Sequence, residues 1–276
     1  RLGIYQIIYM DKVPESAAVN ESVKLAKKLT RGLSGFVNAV LRSVLRECDS
    51  ISIGELAKSE AEEISFIYNQ PLWLVTLWMN EMGKDKTVDL CAWFNEQPRL
   101  TARINTVKVS IEDCIKELQN LGWTVEQDKD IPEVVYIDSH QGHLEKAKPV
   151  IEGHITFMDK ASMLVAHVVD PQPGDRILDC CAAPGGKSMH MASLMDNTGA
   201  IMSCDIYDHK LDLMNQNAER LGVSIVSTKL QDGRSLPDNW KEQFDRVLVD
   251  APCSGLGILQ KKLDMRWRKT EDLLNE

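Results

Sequence analysis

The stretch Asp179-Cys180-Cys181-Ala182-Ala183-Pro184-Gly185-Gly186-Lys187-Ser188 decides the fold. The apolar run Arg176–Cys181 before it reads as a strand, and Gly186–Met195 after it carries helical spacing, so the ten residues form a strand-to-helix turn. Small residues and the pair Gly185-Gly186 let a ligand approach the backbone, and the first N–H groups of the helix are free to meet an anion or a carboxylate. The spacing is not that of G-x-G-x-x-G, because Lys187, Ser188 and Met189 follow the glycine pair. Nor is it that of a Walker loop, because no glycine stands at the required offset before Gly186. A small polar ligand of another kind is expected here.

Downstream, strands and helices alternate: Ala200–Asp205 a strand, Tyr207–Leu221 a helix, Ser224–Leu230 a strand, Phe244–Asp250 a strand. Such alternation implies parallel βαβ units and a doubly wound sheet that binds ligands at its strand C-termini. Upstream, Leu100–Asn105, Thr124–Val125 and Val134–Ile137 read as strands around an Ile111–Leu121 helix stopped by Gly122, a small α+β unit. Before Pro98 the pattern is helical. Val19, Val23, Ala26 and Leu29, then Phe36, Val37, Val40, Leu41, Val44 and Leu45, recur three and four apart; Gly32 and Gly35 flank the break between them, and Ile51–Glu96 continues as helix with Pro71 at a start and Gly83 at a stop. The expected domains are 1–55, 56–98, 99–155 and 156–276.

The strand ends carry the chemistry. Asp205 closes the second strand about twenty residues beyond the glycine turn, where a carboxylate takes the hydroxyls of a ribose; Ile206 follows it. A nucleoside with its other end at Cys181–Lys187 fits S-adenosylmethionine as well as a nicotinamide dinucleotide. Asp232-Gly233 closes the third strand, either as an acceptor for an adenine amino group or as a plain Asp-Gly turn. The fourth strand ends in Asp250-Ala251-Pro252-Cys253-Ser254-Gly255. Enzymes that methylate exocyclic amines place an aromatic residue where Cys253 stands. A thiolate is a nucleophile or base near neutral pH, and cytosine carbon 5 is unreactive until something adds to carbon 6, so the cysteine points to carbon methylation.

The 276 residues are 43% hydrophobic and 26% charged, ordinary for a globular protein, and the apolar runs are far shorter than the ~18 residues of a membrane span. With 32 Lys and Arg against 41 Asp and Glu the net charge is −9, so a nucleic acid would have to meet a local basic patch. Arg99, Arg103, Lys261, Lys262, Arg266 and Arg268 are the candidates. Seven cysteines, without disulfide or zinc spacing, fit a reducing cytoplasm. Cys48, Cys91 and Cys114 lie in helical patterns and Cys180, Cys181 and Cys204 at strand ends, where packing explains them; the six histidines show no paired spacing, and no metal is expected. Arg1 opens the chain inside a helical pattern, with no signal peptide.

Asp179–Ser188 resembles the first methyltransferase motif of the Sun (RsmB-type, Fmu-like) RNA 5-methylcytosine methyltransferases, and Asp250–Gly255 resembles their fourth. Phe157–Met163 is similar to the segment that introduces their catalytic domain, and Leu100–Asn105 to the first strand of their RNA-recognition-like domain. Arg1–Glu47 is similar to the second half of a NusB-like domain. The resemblance implies a multidomain chain: an all-α NusB-like part, a small α+β RNA-recognition-like domain and an α/β Rossmann-like methyltransferase domain that is incomplete at its C-terminus.

It further implies an S-adenosyl-L-methionine-dependent enzyme, a cytoplasmic monomer that methylates cytosine carbon 5 in bacterial small-subunit ribosomal RNA. Carried over, backbone at Cys181, Ala182, Ala183, Pro184, Gly185, Gly186 and Lys187 would hold the methionine part, Asp205 and Ile206 the ribose, Asp232 and Gly233 the adenine, and Asp250 the zone beside the target base. Cys253 matches the cysteine that resolves the covalent adduct. The attacking cysteine of the family follows the fourth motif by several tens of residues, and none follows Cys253 here, so the chain is expected to be cut at both ends. The competing expectations are a non-catalytic RNA-binding or transcription-complex module that retains a cofactor sheet, and a methyltransferase acting on a protein or small molecule.

Overall fold

The computed structural model describes residues 1–30, 32–47 and 56–274. Cys48 and the start of the helical stretch expected from Ile51 lie outside them. The chain divides into two compact units, Arg1–Glu96 with Ile258–Glu276, and Gln97–Gly257.

In the first unit, α1 (Leu2–Tyr9), α2 (Glu15–Leu29) and α3 (Ser34–Glu47) pack on one another, with Ala18, Val19, Ala26 and Leu41 buried. Gly3 permits the close approach of α1 to α2: a Cβ there would lie 2.3 Å from the Ser22 hydroxyl. Gly35, expected to flank the break, is the second residue of α3. An exposed helix start tolerates glycine, and nothing lies within 4 Å of where its Cβ would be. Next, α4 (Glu60–Tyr68), α5 (Leu72–Met82) and α6 (Lys84–Asn95) form a second cluster around Leu74, Val75 and the stacked pair Trp78–Phe94, whose centroids are 5.6 Å apart. Pro71 precedes α5 and Gly83 ends it, as the residue chemistry requires. The segment from Ile258, including α12 (Met265–Arg268 after the helices named below), joins these helices through Arg266, which donates to Phe94 O (2.6 Å) and Asn95 Oδ1 (2.8 Å).

The second unit holds two sheets. β1 (Leu100–Ile104), α7 (Ile111–Asn120), β2 (Thr124–Gln127), β3 (Val134–Ser139), α8 (Lys148–Ile151) and β4 (Ile155–Phe157) make an antiparallel sheet in the order β2-β3-β1-β4. This is the split βαβ arrangement of ferredoxin-like domains. Sequence patterning missed β4, because three residues are too few to show alternation; pairing of Ala102 with Phe157 and Ile104 with Ile155 defines it. Ala102, Ile104, Cys114, Leu118, Trp123 and Val135 form the core between this sheet and α7.

After α9 (Lys160–Val169) come β5 (Arg176–Asp179), α10 (Gly186–Leu194), β6 (Ala200–Asp205), α11 (Asp208–Leu221), β7 (Val226–Leu230) and β8 (Arg246–Leu248). The strands are parallel in the order β7-β6-β5-β8, which corresponds to the 3-2-1-4 order of a doubly wound sheet. β8 is shorter than the Phe244–Asp250 expected. Among the described residues it pairs on one side only, with β5, so Val247 and Val249 stay exposed. Ile177, Met189, Met191, Met195 and Ile201 fill the space between sheet and helices.

A polar seam fastens the two sheets. Buried Asn105, at the end of β1, donates from Nδ2 to Gly153 O and to Leu221 O, both at 2.8 Å. Lys108 Nζ donates to Arg220 O (2.6 Å) and Glu152 O (2.8 Å), and Arg220 Nη1 to Val150 O (2.8 Å). Gly153 has φ +74°, and a Cβ there would stand 2.2 Å from Arg220 O, against backbone that cannot step aside. Replacing Asn105 with Ala orphans two buried carbonyls and is expected to destabilise the second unit by about 2–4 kcal/mol. Gly153→Ala is expected to cost about 2 kcal/mol or more. Urea denaturation followed by fluorescence checks both, and a change under about 0.5 kcal/mol at either position would contradict the seam's role.

Candidate active site

The turn after β5 is strapped on both sides. Cys180 N donates to Leu248 O in β8 (2.9 Å), and Ala182 N donates to Cys204 O in β6 (2.8 Å). The Ala183–Pro184 peptide is cis, and Gly185 turns the chain with φ +97° and donates to Ala182 O (2.7 Å). A side chain at Gly185 would be strained by that φ and would also press on Met214 and Met189 at 3.2 and 3.4 Å. α10 therefore begins at Gly186 with no side-chain cap, its first N–H groups left for a ligand.

A cavity of about 380 Å³ opens beside this turn. One wall is Cys181, Ala182, Ala183, Pro184, Gly185, Gly186 and Lys187 with Asp250; the other includes Arg103, Thr156, Met158 and Ser162 from the small sheet and the segment that follows it, with Arg220 from the end of α11. Lys187 Nζ and Asp250 Oδ2 form an ion pair on the wall. Asp205 and Ile206, at the end of β6, and Asp232 and Gly233, after β7, stand outside this lining along the neighbouring strand ends. They share the neighbourhood of Cys181, whose thiol is pushed up by burial and then by the charges of Asp179, Asp205, Asp250 and Asp232.

Asp205 is nearly buried; its Oδ1 accepts from Tyr207 N (3.1 Å) and lies 3.5 Å from Lys210 Nζ, with the half-exposed side chains of Ile206 and Tyr207 beside it. Asp232 is engaged by Arg234, whose side-chain hydrogen bonds hold the carboxyl down at about 2. Gly233 sits against Cys180, 3.3 Å from where a Cβ would be. Cys253 is exposed, whereas burial pushes up the Cys180 thiol and takes that of Cys204 to about 12. Among the cysteines at the strand ends, Cys253 is the one open to solvent.

Several assignments change on the folded chain. Arg103 and Arg266 were expected to meet RNA; both are buried, Arg103 in the cavity wall and Arg266 among backbone carbonyls of the helical unit. Arg99 is spent on Glu126 (2.7 Å) and Asp138 (2.8 Å), stacked 4.1 Å over the Tyr136 ring. His167 and His190, unpaired in sequence, both place Nε2 against Glu133 Oε1, at 2.6 and 2.8 Å. Sequence separation hid this cluster, in which the Nδ1 of His190 is buried without a hydrogen-bond partner.

Asp179, at the end of β5, is a buried carboxylate at the centre of a hydroxyl network. Its Oδ2 accepts from Ser188 Oγ (2.7 Å), Ser203 Oγ donates to Ser188 Oγ (2.8 Å), and its Oδ1 is buried without a partner. Burial pushes its carboxyl from 3.8 up to about 6. The folded state thus holds a proton that the unfolded state releases earlier. Stability is fully present below about pH 4 and is lost as pH rises toward 6, by about 2–3 kcal/mol. Asp179→Asn is expected to abolish that loss and to be the more stable protein at pH 8. Urea midpoints at pH 4.5 and pH 8 check this, and parallel midpoints in the two proteins would contradict it.

With this geometry established, comparison with known proteins gives a consistent result. Residues 166–276 match the model of the 16S rRNA methyltransferase RsmB/F family, residues 1–46 the NusB family, and residues 70–142 the ferredoxin-like domain of RsmF/B-like methyltransferases. The chain is 35% identical over 274 residues to the probable ribosomal RNA small subunit methyltransferase B of Bacillus subtilis, covering 99% of this chain and 60% of the relative. It is 37% identical over 283 residues to the protein of the same name in Synechocystis, at 98% and 60%. The chain thus spans about 60% of the length of these curated relatives. Among solved structures, PH0851 superposes with a TM-score of 0.79 at 27% identity, covering 99% of this chain and 61% of that one. A methyltransferase homolog from Pyrococcus horikoshii, at 24% identity and TM-score 0.68 over 79% of this chain and 68% of its own, shares the fold. Joined NusB, ferredoxin-like and Rossmann-like parts, in this order and with this glycine turn, make the chain similar to the RsmB/F methyltransferases along nearly its whole length.

Proposed function

We propose that this chain carries the cofactor site and the base-orienting residues of an S-adenosylmethionine-dependent enzyme that methylates carbon 5 of cytosine in small-subunit ribosomal RNA. The observation that carries the reading is the Lys187–Asp250 ion pair on the wall of the cavity, with the exposed thiol of Cys253 three residues beyond Asp250. An amine-methylating site has no use for a thiol at that position.

The residues fit the cofactor. The uncapped start of α10 offers N–H donors, Gly185 keeps the turn free of a side chain, and Asp205 presents a nearly buried carboxylate at the next strand end. When bound, the cofactor supplies an electrophilic methyl group. On the protein side, Asp250 accepts a hydrogen bond from the exocyclic amine of a cytosine turned out of its stack, and Lys187 fixes the carboxylate's position. Cys253, as thiolate, takes the proton that carbon 5 loses. In this reading Cys253 is not the nucleophile that attacks carbon 6.

RNA is the proposed partner, and the buried state of Arg103 and Arg266 moves the expected contacts to other cations, Lys262 and Arg268 among them. No helix among the described residues is long and apolar enough to cross a membrane.

Calorimetry is expected to show S-adenosylhomocysteine binding to the 276-residue chain, weakened about tenfold or more by Asp205→Ala. No binding by the unaltered chain would overturn the cofactor reading. Incubation with S-adenosylmethionine and RNA containing 5-fluorocytosine is expected to leave no covalent adduct on denaturing gels. An adduct mapped to Cys253 by mass spectrometry would reverse the division of labour between the two thiols.

A further inference from the structure

Arg103 is one of the largest fully buried side chains of the protein, and its donors are not used. It sits on β1 between Ala102 and Ile104, which face the core of the small sheet, so the alternation of the strand sends its side chain to the opposite face, into the wall of the cavity. Nε and Nη1 are both buried without a hydrogen-bond partner. Glu133 is the nearby counter-charge, but it does not accept from Arg103; its Oε1 is taken by His167 and His190. Arg220, the other guanidinium of the wall, already donates to Val150 O (2.8 Å) and Thr156 Oγ1 (3.3 Å). The cavity thus contains one desolvated guanidinium with donors to spare.

Unused buried donors cost free energy unless a ligand supplies their acceptors. The acceptor must be anionic, because a guanidinium removed from water needs compensating charge, and planar with two oxygens, because that is what the guanidinium fork matches. The facing wall is the uncapped start of α10, which favours the same charge. Asp179 and Asp250 also line the cavity, and a singly charged carboxylate suits such surroundings better than a phosphate. We propose that Arg103 recognises the amino-acid carboxylate of the nucleoside cofactor, anchoring it from the small sheet while the glycine turn of the large sheet holds the rest. The inference rests on the cofactor reading above, and it makes the cofactor a bridge between two sheets.

The test compares S-adenosylhomocysteine with its analogue lacking only the carboxyl group, by calorimetry on the 276-residue chain. The unaltered chain is expected to prefer the carboxylated ligand by about 10- to 100-fold. Arg103→Met, of similar volume and uncharged, is expected to abolish that preference while changing the affinity for the decarboxylated analogue by no more than about twofold; that retained affinity also reports an intact fold. Arg103→Lys, which keeps the charge and loses the fork, is expected to fall between. Equal weakening of both ligands by the Met and Lys variants would make Arg103 purely structural and overturn the proposal. So would unchanged S-adenosylhomocysteine binding with weakened, less salt-dependent RNA binding, which would assign the guanidinium to an RNA phosphate. If the unaltered chain bound neither ligand, the cofactor reading itself would fall and this proposal with it; binding of both ligands without preference would overturn this proposal alone.

Discussion

Asn105 holds together the part of the molecule on which everything else depends. A single amide nitrogen donates to Gly153 O and Leu221 O, and its backbone N–H to His154 O, so that the end of β1, the turn into β4 and the end of α11 meet at one buried residue. These three segments come from both sheets. Because a buried carbonyl without a donor is costly, the arrangement tolerates few alternatives. Gly153 completes it, since any side chain there would strike Arg220 O. The cavity wall contributed by Arg103, Thr156 and Met158 keeps its place against the glycine turn for this reason.

Around the cavity the sign and state of charge are set by burial more than by composition. The chain is acidic as a whole, but its strand ends treat each carboxylate differently. Asp179 is deep enough that its proton is retained toward neutral pH; Asp250 is paired with Lys187; Asp232 is held ionised by Arg234; Asp205 is nearly enclosed beside its own helix start. Four carboxylates crowded at one sheet edge would repel one another in water, and their separate partners are what allow them to coexist. The same environment keeps the strand-end thiols of Cys180, Cys181 and Cys204 pushed toward their neutral form and leaves Cys253 as the accessible one.

The Glu133–His167–His190 cluster works in the same way beside Arg103. One carboxylate oxygen accepts from two imidazoles, with the Arg103 guanidinium nearby. Burial drives the His190 imidazole down to about 4, so it stays neutral there and acts as a hydrogen-bond donor rather than a charge. The Arg103 guanidinium beside this cluster lines the cavity and keeps Nε and Nη1 without partners.

The sequence by itself determined the local features whose cause is local: the strand-to-helix turn at Asp179–Ser188, the helix boundaries at Pro71 and Gly83, the alternation of strands and helices after Pro173, and the acidic residue that ends β6. Steric limits at glycine and proline, the orphan N–H groups of a helix start and the period of apolar residues act over a few positions, so they can be read one after another. Only the tertiary structure decided what long-range packing controls. β4 exists because β1 pairs with it, Arg103 and Arg266 are buried rather than presented to RNA, and three residues as distant as Glu133, His167 and His190 meet at one oxygen. Whether a charged side chain faces water or an interior depends on the opposing wall, and no window along the chain contains that wall.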